Sequence, residues 1–303
     1  MSDFTSNFWS VFVAAIAILG IVYCVFLLWF SAKLKMSSHD DGTTGHVWDE
    51  DLREMNNPLP RWWLGLFVVT IVFAVFYGFA YPGLGSFNGK FGWTSAGQYE
   101  AEVAKANEEL KPLYAGFDAK TPEELSGDPK AMAVGERLFM NNCAQCHGSD
   151  ARGAKGFPNL TDGDWLHGGT TDKIKETITK GRIGQMPPMA AAVGTPDDVR
   201  NVAQYVLSLS GSGHDSVRAE LGKAKFGACA ACHGPDGKGM QAVGSANLTD
   251  KIWLHGYGEE AITAMINNGK INQMPAQENR LTPSQIHVLT AYVWGLSNKV
   301  AAK

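Results

Sequence analysis

The sequence predicts an all-α fold: two N-terminal transmembrane helices followed by two tandem helical domains. Three observations carry this. Two long apolar runs near the N-terminus hold no charged residue, the C-terminal part repeats itself, and no strand pattern of any length appears. The 303 residues are room for about two domains. Hydrophobic residues make up 45% of the chain, and charged residues only 18%, against roughly a quarter in a soluble domain. The net charge of −4 gives no support to nucleic-acid binding.

The first run, 8–30, reads "FWSVFVAAIAILGIVYCVFLLWF", 23 residues without a charge. As a helix it would be roughly 34 Å long, enough to cross a hydrocarbon core of about 30 Å. Trp9, Trp29 and Phe30 stand near its ends, where aromatic belts sit. The second run, 62–81, is 20 residues long and begins and ends in aromatics: Trp62, Trp63, Tyr77 and Tyr81. The alternative, two buried core helices, is disfavoured because soluble cores seldom hold runs this long without a charge. The segment "MSDFTSN" has no Lys or Arg, and the first run exceeds the usual roughly 7–15 residues of a signal peptide, so a retained anchor is expected. Lys33, Lys35, Arg53 and Arg61 lie in the connecting loop, none precedes the first span, and only Lys90 follows the second closely. The loop 31–61 is therefore expected in the cytoplasm, with the N-terminus and the C-terminal region outside. In a bacterium that is a two-pass protein of the inner membrane, in contact with lipid, facing the periplasm. Residues 1–84 form this anchor.

Residues 85–129 read as a periplasmic linker. A Gly-rich loop ends near Trp93, and 98–110 has the composition of a polar helix, either a solvated spacer or a docking element for a partner subunit. From about Lys130 two similar units follow, 130–212 and 213–303. "PNLTDGDWLHGG" (158–169) returns as "ANLTDKIWLHGY" (246–257), and "GRIGQMP" (181–187) returns as "GKINQMP" (269–275). Each unit is expected to run amphipathic helix, CxxCH, Gly-rich loop, short helix, Met-Pro loop, and a final helix carrying Tyr205 or Tyr292. Thr195-Pro196 and Thr282-Pro283 look like starts of the final helices, with Pro at the first helical position.

"NNCAQCHGSD" (141–150) and "GACAACHGPD" (227–236) contain the attachment sequence of a c-type haem. Thiols three positions apart, Cys143 with Cys146 and Cys229 with Cys232, can reach the two vinyl groups of one porphyrin. The adjacent His147 or His233 then meets the iron. A redox pair or half a zinc site is the alternative. The redox pair needs no following His, and the two pairs are 86 residues apart, too far for a zinc site within one repeat. Two covalent haem c groups are expected. For the opposite axial position, Met186 follows Cys143 by 43 residues and Met274 follows Cys229 by 45. Met186 is assigned to the first haem and Met274 to the second. Met189 competes but has no counterpart in the second unit; His167 and His255 compete because they repeat. Met/His ligation raises the potential and fills both positions, which favours electron transfer over catalysis. Trp165 and Trp253 either hydrogen-bond a propionate or fill the haem wall. Asn159 and Asn247 are expected to hold the following loop. His167 and His255 are candidate haem-edge contacts. Cys24 reads as a packing residue.

Each unit resembles a class I cytochrome c domain. Gly135 and Phe139 precede Cys143 by eight and four, the spacing that family uses where its first and last helices cross. Pro158 stands near the place where the family's backbone carbonyl receives the imidazole N–H, a contact that would fix the ring. In the second unit Gly222 and Phe226 are one residue closer to their cysteine, and Ala246 replaces the Pro. An altered crossing is expected there. Over nearly its full length, through "HVWDEDLREMNNPLPRWW" (46–63), "YPGLG" (81–85) and the two CxxCH units, the chain is similar to the dihaem subunit III of cbb3-type cytochrome c oxidases.

That resemblance implies electron transfer without a catalytic site of its own. Electrons would come from a soluble periplasmic cytochrome c. They would pass through a monohaem cytochrome c subunit to the haem–copper catalytic subunit of a proton-pumping oxidase. It also implies that the loop at 46–63 lies against the catalytic subunit. Two other readings share the same haem domains: a tethered dihaem cytochrome serving a periplasmic dehydrogenase, and a dihaem peroxidase with one displaceable ligand.

Overall fold

The computed structural model describes residues 4, 6–33, 42–57 and 59–298. Lys35, invoked above for orientation, and Pro58 of the 46–63 motif lie outside the described residues. The chain divides into two compact units, 1–109 and 110–303.

In the first unit, α1 (Asn7–Lys33) and α2 (Arg61–Ala80) match the two apolar runs. Both are long and apolar enough to cross a membrane. Apart from Ala80, buried at the end of α2, their sheltered positions form a seam. On α1 these are Ser10, Ala14, Ala17, Ile21, Cys24 and Leu28; on α2 they are Leu64, Phe67, Ile71, Ala74 and Gly78. Alternating steps of three and four keep one stripe facing the partner, as in a coiled coil. Cys24 is thus a packing residue of this seam. The pair runs antiparallel: Ser10, near the start of α1, accepts hydrogen bonds from the Ser86 backbone N–H (2.7 Å) and hydroxyl (2.8 Å) just beyond the end of α2.

Between the helices, β1 (Thr43–Trp48) and β2 (Leu52–Met55) form an antiparallel hairpin. The expectation of no strand is corrected here. The stretches are short, and each carries apolar side chains on both faces, so no alternation shows in the sequence. Asp49 (φ 47°) and Glu50 (φ 72°) turn the chain in the left-handed region.

Helix α3 (Ser95–Asp118) extends the polar helix expected at 98–110 and is exposed along nearly all its length. The second unit continues with α4 (Pro122–Leu125), α5 (Pro129–Asn142), α6 (Ala144–His147) and α7 (Thr171–Lys180). β3 (Arg182–Met186), α8 (Ala190–Val193) and α9 (Pro196–Leu209) complete the first repeat. The second repeat supplies α10 (Ser216–Lys223), α11 (Gly227–His233), α12 (Glu259–Asn268), β4 (Lys270–Met274) and α13 (Pro283–Ser297). Thr195 and Thr282 cap α9 and α13 as capping boxes with Asp198 and Gln285, with Pro at the first helical position of each.

The two repeats do not fold side by side. Helix α13 packs on α4, just ahead of the first repeat, and on α5 and α7 within it, while α9 packs on α10 and α12 of the second. One core cluster joins Phe139, Ile174 and Ile178 to Leu281, Ile286, Leu289 and Val293. Another joins Val199, Val202, Val206 and Leu207 to Phe226, Ile262 and Ile266. The short connection after α9 explains the exchange. Ser210 and Ser212 close a tight turn, and Gln204 Oε1 accepts the Asp215 N–H (2.8 Å). A connection of a few residues folds α10 back as an antiparallel neighbour of α9.

The Met-Pro segments, expected as loops, are the strands β3 and β4. They pair antiparallel from Arg182 opposite Met274 to Met186 opposite Lys270. This is the second correction to the all-α expectation. Its cause is tertiary, since each strand acquires a ladder only from the other repeat.

Candidate functional site

At each CxxCH a short helix presents the motif. Cys143 caps the end of α5 and starts α6; Cys146 is exposed and His147 is buried. The ring nitrogen Nδ1 of His147 lies 2.9 Å from the Pro158 carbonyl oxygen. A carbonyl only accepts, so Nδ1 carries the proton and Nε2 keeps its lone pair. Burial also lowers the pKa of His147, favouring the neutral ring. The loop returns close enough for this because Gly153 (φ 70°) passes where a Cβ would stand 2.6 Å from the Pro158 oxygen. Its N–H donates to the His147 carbonyl (2.7 Å).

The second repeat reproduces this arrangement. His233 Nδ1 lies 2.9 Å from the Ala246 oxygen, and the Gly239 N–H donates to the His233 carbonyl (2.7 Å). Replacing Pro158 by Ala246 leaves the contact intact because the acceptor is main chain. In both repeats an Asn closes the next turn: Asn159 Oδ1 accepts from the Thr161 N–H and hydroxyl, and Asn247 Oδ1 from those of Thr249.

The helix crossings also correspond. A Cβ on Gly135 would stand 2.6 Å from Tyr292 Cβ, and Phe139 meets the Tyr292 ring at 5.5 Å. Gly222 abuts the Asn201 carbonyl, and Phe226 meets Tyr205 edge-on at 5.1 Å. The missing residue of the second repeat is absorbed by a break. Helix α5 runs unbroken to Cys143, whereas α10 stops at Lys223 and α11 starts at Gly227. The expected alteration is thus in helix continuity, and the crossing survives.

The methionines are exchanged. Met274 packs in the cluster that holds Cys143, Ala144 and Trp165. Met186 packs in the one that holds Cys229, Ala230 and Trp253, together with Met189, whose N–H donates to the Ile266 carbonyl (2.8 Å). This packing differs from the expected pairing of Met186 with the first motif and Met274 with the second. The sequence counts spacing along the chain, but the strands cross between the repeats.

His167 and His255 stand at the contact between repeats. His255 Nε2 pairs with the Asn272 amide of β4 at 3.0 Å. His167 lies against Gly244 of the other repeat, and burial lowers its pKa. Trp165 and Trp253 each line the cluster of their own cysteines.

Burial pushes the Cys143 thiol up to about 11 and raises Cys229 as well. A redox CxxC needs the opposite, a lowered pKa. No group of three or more His, Cys, Asp or Glu among the described residues could hold a metal ion. A histidine with a free Nε2, two thiols beside it in the motif, and a thioether in the cluster of the first thiol make the donor set that haem c requires.

Comparison with known proteins agrees with this chemistry. Residues 40–88 match the N-terminal domain of cytochrome oxidase-cbb3, FixP. Residues 130–206 and 219–293 both match cytochrome C oxidase, cbb3-type, subunit III. The cbb3-type cytochrome c oxidase subunit CcoP of Rubrivivax gelatinosus is 66% identical over the whole of both chains. The FixP subunit of Bradyrhizobium diazoefficiens is 42% identical over 84% of this chain and 94% of its own. That of Azorhizobium caulinodans is 43% identical over 83% and 91%.

Proposed function

The chain belongs to the cbb3-type cytochrome c oxidase subunit III family, and we propose that it is the dihaem electron-transfer arm of such an oxidase, with no catalytic site of its own. It accepts electrons from a soluble periplasmic cytochrome c. It passes them by way of a monohaem cytochrome c subunit to the haem–copper catalytic subunit.

The observation that carries this reading is duplicated: a carbonyl-fixed histidine beside two cysteines, with a methionine in the core cluster that holds the first cysteine of each pair. Haem c supplies a one-electron iron couple, and Met/His ligation raises its potential. Cys143 and Cys146 would hold one group and Cys229 and Cys232 the other. His147 and His233 would offer Nε2 to the iron. Met274 would supply the thioether at the Cys143 site and Met186 at the Cys229 site. Pro158 and Ala246 orient the imidazoles through their carbonyls and keep both rings basic. Trp165 and Trp253 exclude water from the walls, and His167 and His255 brace the seam at the haem edges. With a histidine and a methionine both donating, the chemistry supplied would be electron transfer, without substrate binding at the iron.

Helices α1 and α2 cross the bacterial inner membrane and lie in its lipid. Lys33, Arg53 and Arg61 support a cytoplasmic connecting loop, hence a periplasmic haem region. The anchor covers 1–84 and the linker 85–129. The sequence repeats 130–212 and 213–303 share one interleaved body.

Purification of the detergent-solubilised complex tests the assignment. Haem b and copper are expected to co-purify. A flavin or quinone dehydrogenase in their place would support the tethered cytochrome. A high-spin ferric fraction would support the peroxidase.

A further inference from the structure

The β3–β4 ladder sets a cation across from each methionine, and the two cations differ. Arg182 is the register partner of Met274, and Lys270 that of Met186. Directly opposed residues of an antiparallel pair project to one face, with Cβ atoms about 4.5–5.5 Å apart. Arg182 is only 22% exposed and is held on two sides. Its Nε donates to Thr177 Oγ1 at 2.9 Å and its Nη1 to Glu176 Oε1 at 3.1 Å. Its buried Nη2 lies 3.0 Å from Glu176 Oε2, close enough for an ion pair but without hydrogen-bond geometry. Lys270 is exposed and makes no ion pair among the described residues.

We propose that Arg182 is a positioning residue of the Cys143 site, holding a fixed positive charge across the ladder from Met274, whereas the Met186 site has only the solvated Lys270. This rests on Met274 being the ligand there. A positive charge near an iron disfavours its oxidised form, so Arg182 raises that site's potential and Glu176 opposes it. A fixed, sheltered charge acts more strongly than an exposed one, which water and salt screen. Arginine cannot lose its proton, so the field persists at any working pH. Glu176 also stays charged, because its hydrogen bonds to Arg182 and then Lys173 hold its carboxyl down to about 2. The sequence repeats thereby give two chemically equal haem sites unequal fields.

Redox titration of the haem-loaded full chain in its complex tests this. Arg182→Gln is expected to lower the midpoint of one haem, and Glu176→Gln to raise the midpoint of the same haem. Arg182→Lys should stay nearest the parent, and Lys270→Gln should leave that haem unmoved. The methionine–iron charge-transfer band should persist in all four. Unmoved midpoints in Arg182→Gln, equal shifts of both haems, or loss of the band in Arg182→Lys would overturn the proposal. Met274→His separates it from the ligand assignment. If that variant moves a different haem from Arg182→Gln, the charge proposal fails alone. If it moves neither, the ligand reading fails.

Discussion

Gly153 shows how much of a haem site depends on one residue without a side chain. Its φ of 70° and the approach of the Pro158 oxygen leave no room for a Cβ. Gly153→Ala is expected to destabilise the protein by about 1–3 kcal/mol and to loosen the His147–Pro158 contact. Thermal unfolding measures the first effect and the imidazole proton shift in NMR the second. The motif residues were legible because CxxCH is local, with its chemistry within five positions. Arg182 was not, because its neighbours Met274 and Glu176 come from different repeats. Acid titration offers a second residue-scale test. Glu176 has a folded pKa of about 2, below its ordinary 4.5. Its contribution to stability is complete above that ordinary value and disappears as pH falls through the folded one. Glu176→Gln should flatten the stability–pH curve in that acid window and lower stability near neutrality, where the ionised group's contribution is complete.

The helices were legible from apolar periodicity and from Thr-Pro starts, and the strands were not. β3 and β4 are five residues each, interrupted by Gly184 or Asn272, and neither has a ladder within its own repeat. The caps predict a modest loss: Thr195→Ala and Thr282→Ala should each cost about 1 kcal/mol, read by denaturant midpoint. Phe139 is a larger test. It is fully buried between α5 and α13. Phe139→Ala should cost about 3–5 kcal/mol and, because Tyr292 loses its partner, should weaken the contact between the two repeats.

Across the whole second unit, sequence repeats and packing units do not coincide. The cluster around α9 lies entirely within 182–268, whereas the cluster around Phe139 needs 139–178 and 281–293 together. A haem-loaded fragment 182–268 is therefore expected to unfold cooperatively, and a fragment 130–212 to lack a cooperative transition. The duplication was plain in the sequence, but its exchange was not, because composition cannot tell which copy of a repeated helix fills which copy of a groove. Only the short turn after α9 hinted at it. The crossing of the methionines is the central claim, and a chain with one attachment site removed tests it most directly. In the double variant Cys229→Ala, Cys232→Ala, only the Cys143 haem remains. Met274→Ala in that background should abolish the methionine–iron charge-transfer band, and Met186→Ala should leave it. The reverse result would contradict the account.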